Sequence, residues 1–202
     1  MFDPAHCIDR LHTSHHRLLD ALTGPNTLSD EVLRRPSRLP SWSVGHVLTH
    51  IARNADSVVR HLEGAARDEV VDQYPGGKPA RAAEIEAGAG RDADELIADI
   101  RTSAAAVEQV ASTLPAVAWD RLTRSVSGDL QPASAVLVGR IREVEMHHVD
   151  LGLGYGPEDW PAEFVEEVLA VELPRLTERA TPQILLAWLT GRGPAPTLPA
   201  WR

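Results

Sequence analysis

Glu143 and His147 stand four residues apart in the apolar stretch Ala135-Val-Leu-Val-Gly-Arg-Ile-Arg-Glu-Val-Glu-Met-His-His-Val149. On a helix that spacing sets a carboxylate and an imidazole one turn apart on one face, which suits two ligands of one divalent metal. A third donor is expected from His46-Val-Leu-Thr-His50, some ninety residues earlier. A His/Glu/His set leaves a coordination position open, a catalytic rather than a structural pattern.

The elements must bring these groups together. Val44, Val47, Leu48, Ile51, Ala55, Val58 and Leu62 form one apolar stripe on a helical wheel, opposite Arg53, Asp56, Arg60, Glu63 and Arg67. His50 falls on the flank of that stripe and His46 nearer the polar face. His50 is therefore the expected ligand, and His46 a surface or supporting group. On the second segment Glu145 and His148 form a rival pair at i, i+3, the spacing of di-iron carboxylate bundles. No second Glu-x-x-His accompanies it, so one metal on Glu143 and His147 is preferred. His148 reads as a packed histidine or a donor behind the ligands. His12 and His16 share a face of the first helix and read as a polar surface pair, beside Arg17 and Asp20, which look solvated. Arg140 or Arg142 is read either as a carboxylate clamp or as an ion-pair partner of Glu143, Glu145 or Asp150.

Helical periodicity runs through most of the chain. Helices are expected over 4–22, 30–34, 43–67 with Ser43 as N-cap, 81–87, 91–114, 132–151, 161–180 with a bend at Pro174, and 182–190. Tyr74-Pro-Gly-Gly-Lys-Pro79 reads as a loop and 119–130 as an irregular hairpin. The four long helices predict a mainly all-α fold: a four-helix bundle over residues 1–151 with long crossovers, and a short helical segment, 152–202, docked on it.

Composition narrows the function. The chain has 202 residues, 43% of them hydrophobic and 24% charged, which suffices for one core. A net charge of −9 provides no basic stripe for phosphates, so nucleic acid is not an expected partner. The single cysteine, Cys7, rules out an internal disulfide and a cysteine-based zinc site. No leader or membrane span is read, so the expectation is a cytoplasmic monomer or homodimer.

Several segments resemble the mycothiol-dependent maleylpyruvate isomerase family of DinB-like metal-binding bundles. They are Leu39-Pro-Ser-Trp-Ser-Val-Gly-His-Val-Leu-Thr-His-Ile-Ala-Arg-Asn-Ala-Asp56, Tyr74-Pro-Gly-Gly77, Ala80-Arg-Ala-Ala-Glu-Ile-Glu-Ala87, Arg142-Glu-Val-Glu-Met-His-His-Val-Asp-Leu-Gly-Leu-Gly-Tyr155 and Leu186-Ala-Trp-Leu-Thr-Gly-Arg192. The resemblance implies metal ligands at His50, Glu143 and His147, most simply for Zn²⁺, and an activity-linked arginine at Arg192. It implies mycothiol as the thiol cofactor and an anionic small-molecule substrate, in the setting of aromatic catabolism. A metal-bound thiolate would add to a cis enedioate such as maleylpyruvate, the single bond would rotate, and elimination would give the trans product. Arg81 and Arg192 are the expected carboxylate clamps, and Tyr74, Gly76 and Gly77 the expected border of the thiol's sugar. A mycothiol S-transferase shares the first step and is the alternative. A non-catalytic metal-binding bundle is the second. Family members often carry a larger α/β domain after the bundle, of which residues 152–202 keep the beginning and the Trp-Leu-Thr-Gly-Arg ending.

Overall fold

Ser43 starts the helix that carries His50. In the computed structural model, which describes residues 2–24 and 28–198, its side chain accepts from the backbone N–H of His46 while the His46 ring accepts from the N–H of Ser43. His46 thus completes a capping box, with an imidazole where Glu or Gln usually stands. The helix, α3 (Val44–Ala66), is the central one. It packs against α5 (Ala93–Thr113) and α6 (Ala133–Asp150), and α1 (Pro4–Thr23) closes the bundle against the same two. The protein is mainly α-helical, and these four helices form the bundle read from periodicity.

Two compact units divide the chain, Met1–Gly156 and Pro157–Arg202. The core of the first holds Leu18, Leu22, Val47, Leu48, Ile51, Leu96, Ile100 and Val144, at most 2% exposed. One chain of polar contacts crosses this core. Arg140, buried on α6, donates from Nη1 to Ile51 O (2.7 Å) and Asn54 Oδ1 (2.8 Å) on α3, and from Nε to His15 Nε2 (3.3 Å) on α1. That bond leaves the His15 proton on Nδ1, which donates to Glu108 Oε1 on α5 at 2.8 Å. All four helices are joined by it. Arg140 therefore makes none of the carboxylate contacts its position suggests: its bonds go to a carbonyl, an amide and an imidazole.

The crossovers are shorter in loop than expected. Tyr74 O accepts from Gly77 N–H at 2.9 Å, with Pro75 then Gly76 (φ +82°, ψ 4°) between, which is a type II turn. A side chain at Gly76 would meet Ala80 Cβ at 2.9 Å. The helix α4 (Gly77–Gly88) begins directly after, so Gly77 to Pro79 are helical and not loop. Pro79 is tolerated because first-turn N–H groups need no helical partner. A short α2 (Asp30–Leu33) precedes α3. The hairpin between α5 and α6 pairs β1 (Leu122–Arg124) with β2 (Leu130–Pro132), antiparallel, with Thr123 opposite Gln131.

The second unit holds α7 (Ala162–Glu172), α8 (Leu176–Arg179) and α9 (Pro182–Leu189). The expected bent helix is broken between Glu172 and Leu176, around Pro174. Trp160 meets Phe164 edge-on at 5.7 Å, and Arg179 pairs with Glu172 at 3.2 Å.

Candidate metal centre

His50 projects from the second turn of α3, and Glu143 and His147 from successive turns of α6. His50 Nε2 lies 2.9 Å from Glu143 Oε2 and 3.1 Å from His147 Nε2. His147 Nε2 lies 3.3 Å from the same Glu143 oxygen. His46, which the wheel sets nearer the polar face, points away, to the cap and to Glu86 Oε2 at 3.2 Å.

Three N/O ligands at bond lengths of about 2.0–2.1 Å around a tetrahedral ion stand about 3.3 Å apart. The observed spacings fall at or slightly inside that value, and among the described residues this is the one group of three such side chains whose ligand atoms all lie within 4.8 Å of one another. Two neutral imidazoles and one carboxylate suit Zn²⁺ and its first-row neighbours.

Support around the triad is directional. Asp150 Oδ2 accepts from His147 Nδ1 at 2.8 Å, which turns the Nε2 lone pair toward the other two ligands. The sequence offers Asp150 only as an ion-pair partner of Arg140 or Arg142, though its place three residues after His147 is the available signal for this bond. Its backbone carbonyl also accepts from Arg38 N–H at 2.8 Å, tying the loop before α3 to the end of α6. Trp42, on that loop, meets the His50 ring edge-on at 5.5 Å.

The charges are strongly coupled. Burial pushes the His50 imidazole down to about 4, against the pull of Glu143. Burial also opposes a charge on His147, but the hydrogen bonds of Asp150 and Glu143 prevail and raise it to about 9. Burial works against ionised Glu143 too, and bonds from His147 and His50 nevertheless hold it well below the usual carboxylate range. The triad thus holds an ionised carboxylate between two imidazoles, the charge a divalent cation would meet there.

Arg81 is brought to the triad by α4. Its Nη2 lies 3.2 Å from His50 Nδ1, and its guanidinium stands 5.7 Å from the centroid of the buried Tyr74 ring. The type II turn explains the placement: Gly76 and Gly77 reverse the chain so that the ring and the first turns of α4 face each other. The segment leading to Tyr74 is pinned as well, since Arg60 Nη1 donates to Gln73 O at 2.6 Å and Gln73 N–H donates to Arg124 O at 3.0 Å. Arg192 belongs to the second unit, after α9, where its N–H donates to Ala187 O at 2.7 Å and its guanidinium to Thr190 O.

Of the rival pair, Glu145 faces α1 and His148 packs on Tyr155. Glu145 is 1% exposed and accepts from Ser14 Oγ (2.5 Å), Arg17 Nη1 (2.9 Å) and Tyr155 OH (2.5 Å). The His148 ring stacks on Tyr155 at 4.0 Å. Arg17, read as solvated, is instead the ion partner of a buried carboxylate. This pair shares no centre with Glu143 and His147.

Residues 11–152 match the family described as mycothiol maleylpyruvate isomerase N-terminal domain. The chain belongs to that family. It is similar to a crystal structure of the mycothiol-dependent maleylpyruvate isomerase, at 25% identity and a TM-score of 0.77, over 84% of this chain and 69% of that one. A histidine-to-alanine variant of the same enzyme matches with the same values. No curated protein matches in sequence. No helix among the described residues is long and apolar enough to cross a membrane.

Proposed function

We propose that this chain is a metal- and mycothiol-dependent cis–trans isomerase acting on maleylpyruvate or a similar cis enedioate. The observation that carries the reading is the convergence of His50, Glu143 and His147 within 3.3 Å, in a member of this family. These three residues hold the ion, Zn²⁺ in the simplest case. Bound together, metal and mycothiol supply a nucleophilic thiolate at neutral pH, able to add reversibly to an activated double bond.

The chain's own residues do the rest. Asp150 fixes the His147 tautomer. Glu143 has 22% of its side chain exposed, against 4% for His50 and 7% for His147, so the triad is reached from the carboxylate side. Arg81 stands on that triad with donors suited to a substrate carboxylate, since a guanidinium binds a carboxylate in a two-point fork. Arg192 is the second clamp in this reading, and the Tyr74–Gly77 turn borders the thiol's sugar. The compartment is the cytoplasm, where low-molecular-weight thiols are kept reduced.

The experiment is a purified-protein assay of maleylpyruvate isomerisation with and without mycothiol, following free conjugate in the same tube. Thiol-dependent turnover that disappears in His147→Ala, with loss of bound metal, supports the proposal. Accumulation of conjugate without trans product would assign the protein to thiol transfer. Full turnover by a metal-free His50→Ala protein would sink the mechanism.

A further inference from the structure

The reaction proposed above leaves the histidines of α1 unused. His12 and His16 lie one turn apart on its exposed face, and their Nε2 atoms approach to 3.0 Å, with ring centroids 4.2 Å apart. Two imidazoles free to turn in water gain little from a single exposed hydrogen bond. A spacing of 3.0 Å is, however, close to that of two nitrogens in adjacent positions on one ion at about 2.0–2.1 Å. Histidines at i, i+4 on one helix face are a recurrent chelating arrangement.

A carboxylate faces the pair from α5. Glu108 Oε2 stands 3.8 Å from His12 Nε2. Its other oxygen is committed to His15 Nδ1 at 2.8 Å. The His15 proton is in turn fixed by Arg140, which donates to the opposite ring nitrogen. The carboxylate is therefore held by a buried partner while its free oxygen is turned outward to His12. Such a chain, buried donor to carboxylate to surface ligand set, resembles the outer support of built metal sites.

We propose that His12 and His16 form a second divalent-metal site on the outside of the bundle, with Glu108 as its carboxylate. Its chemistry is that of first-row ions with imidazole affinity, Cu²⁺ strongest and Ni²⁺ and Zn²⁺ next. Glu108 reaches the ion through one bound water, since the ligand atoms of His12, His16 and Glu108 do not all lie within 4.8 Å of one another as those of the triad do. The site is separate from the His50–Glu143–His147 triad, which lies between α3 and α6, and does not depend on the isomerase reading.

The test uses the untagged full chain, freed of metal and titrated with Zn²⁺ against a chromophoric chelator. Cu²⁺ is added in parallel and followed by electron paramagnetic resonance. Two equivalents are expected. His12→Ala or His16→Ala removes one or weakens it at least tenfold, with thermal stability and thiol-dependent turnover unchanged. Glu108→Gln, which can still accept from His15, weakens it less. In a His147→Ala background the remaining Cu²⁺ signal shows imidazole nitrogen splitting, lost when His12→Ala is added. Identical titrations for the parent and His12→Ala proteins would overturn the proposal. A single equivalent lost with His12→Ala and kept with His147→Ala would support this site and refute the central one.

Discussion

Asp150 and His15 show what a single side chain contributes in this bundle. Asp150 holds one nitrogen of His147 so that the other faces the triad. Asp150→Asn keeps the size and loses the charge, and is expected to weaken metal affinity about 10–100-fold while leaving the fold intact; chelator competition measures it. His15 is 1% exposed, and burial pushes its imidazole down to about 4 against the pull of Glu108. The unfolded chain takes up a proton here below its ordinary value of 6.5, and the folded chain refuses it until about 4. Stability from this group is therefore full above 6.5 and is lost as pH falls through that window, by about 3 kcal/mol. Urea unfolding at pH 7 and pH 4.5, in chelator, should show a smaller loss for His15→Gln than for the parent. Legibility differs sharply between such residues. His50 could be chosen over His46 because a stripe of seven apolar residues fixes the angle of every side chain on α3. Glu145 could not be assigned, since its partners Ser14, Arg17 and Tyr155 come from other segments and no spacing along α6 announces them. Arg140 is the same case, with partners on α1 and α3.

At the scale of elements, local signals governed how well boundaries could be read. Ser43 before an apolar stripe, and Pro132 before another, placed α3 and α6 to within a residue or so. The Tyr74–Pro79 stretch misled because composition marks a turn but not its length: two glycines turn the chain, and Pro79 then fits a first helical turn. The contact of α3 with α4 is equally silent in the sequence. A Cβ at Gly45 would lie 2.3 Å from Ala89 O, a backbone atom, and one at Gly88 would lie 2.5 Å from Thr49 Cγ2. These glycines let α4 approach α3 closely, which in turn carries Arg81 to His50. Gly45→Ala is expected to destabilise by about 3 kcal/mol, because backbone cannot yield as a side chain does. Gly139, inside α6, has nothing within 4 Å of its would-be Cβ. Gly139→Ala is expected to stabilise by about 0.5–1 kcal/mol through helix propensity alone. Paired thermal melts of the two variants, moving in opposite directions, check both. Metal affinity is expected to stay unchanged in both, since the triad residues themselves are untouched.

For the whole molecule, the division at Gly156 separates what binds the ion from part of what is proposed to clamp the substrate. His50, Glu143, His147 and the orienting Asp150 all belong to Met1–Gly156, as do Arg81 and Tyr74. That unit also holds the shared core of α1, α3, α5 and α6, and the Glu145–Tyr155 bond that fastens the segment after α6 to the rest. Arg192 alone of the proposed site residues lies in Pro157–Arg202. Ending the chain after Gly156 should therefore leave a cooperatively folding, helical protein that takes up the central metal with the affinity of the full chain. Thiol-dependent turnover should fall at least 100-fold if Arg192 clamps a carboxylate, since a misplaced or missing clamp forfeits orientation rather than chemistry. Arg192→Lys in the full chain discriminates the cause. A point charge without the two-point fork should raise KM more than it lowers kcat if the arginine binds substrate. Unchanged kinetics in Arg192→Lys and in Arg192→Ala, beside a dead truncated chain, would mean that the second unit acts through something other than this arginine.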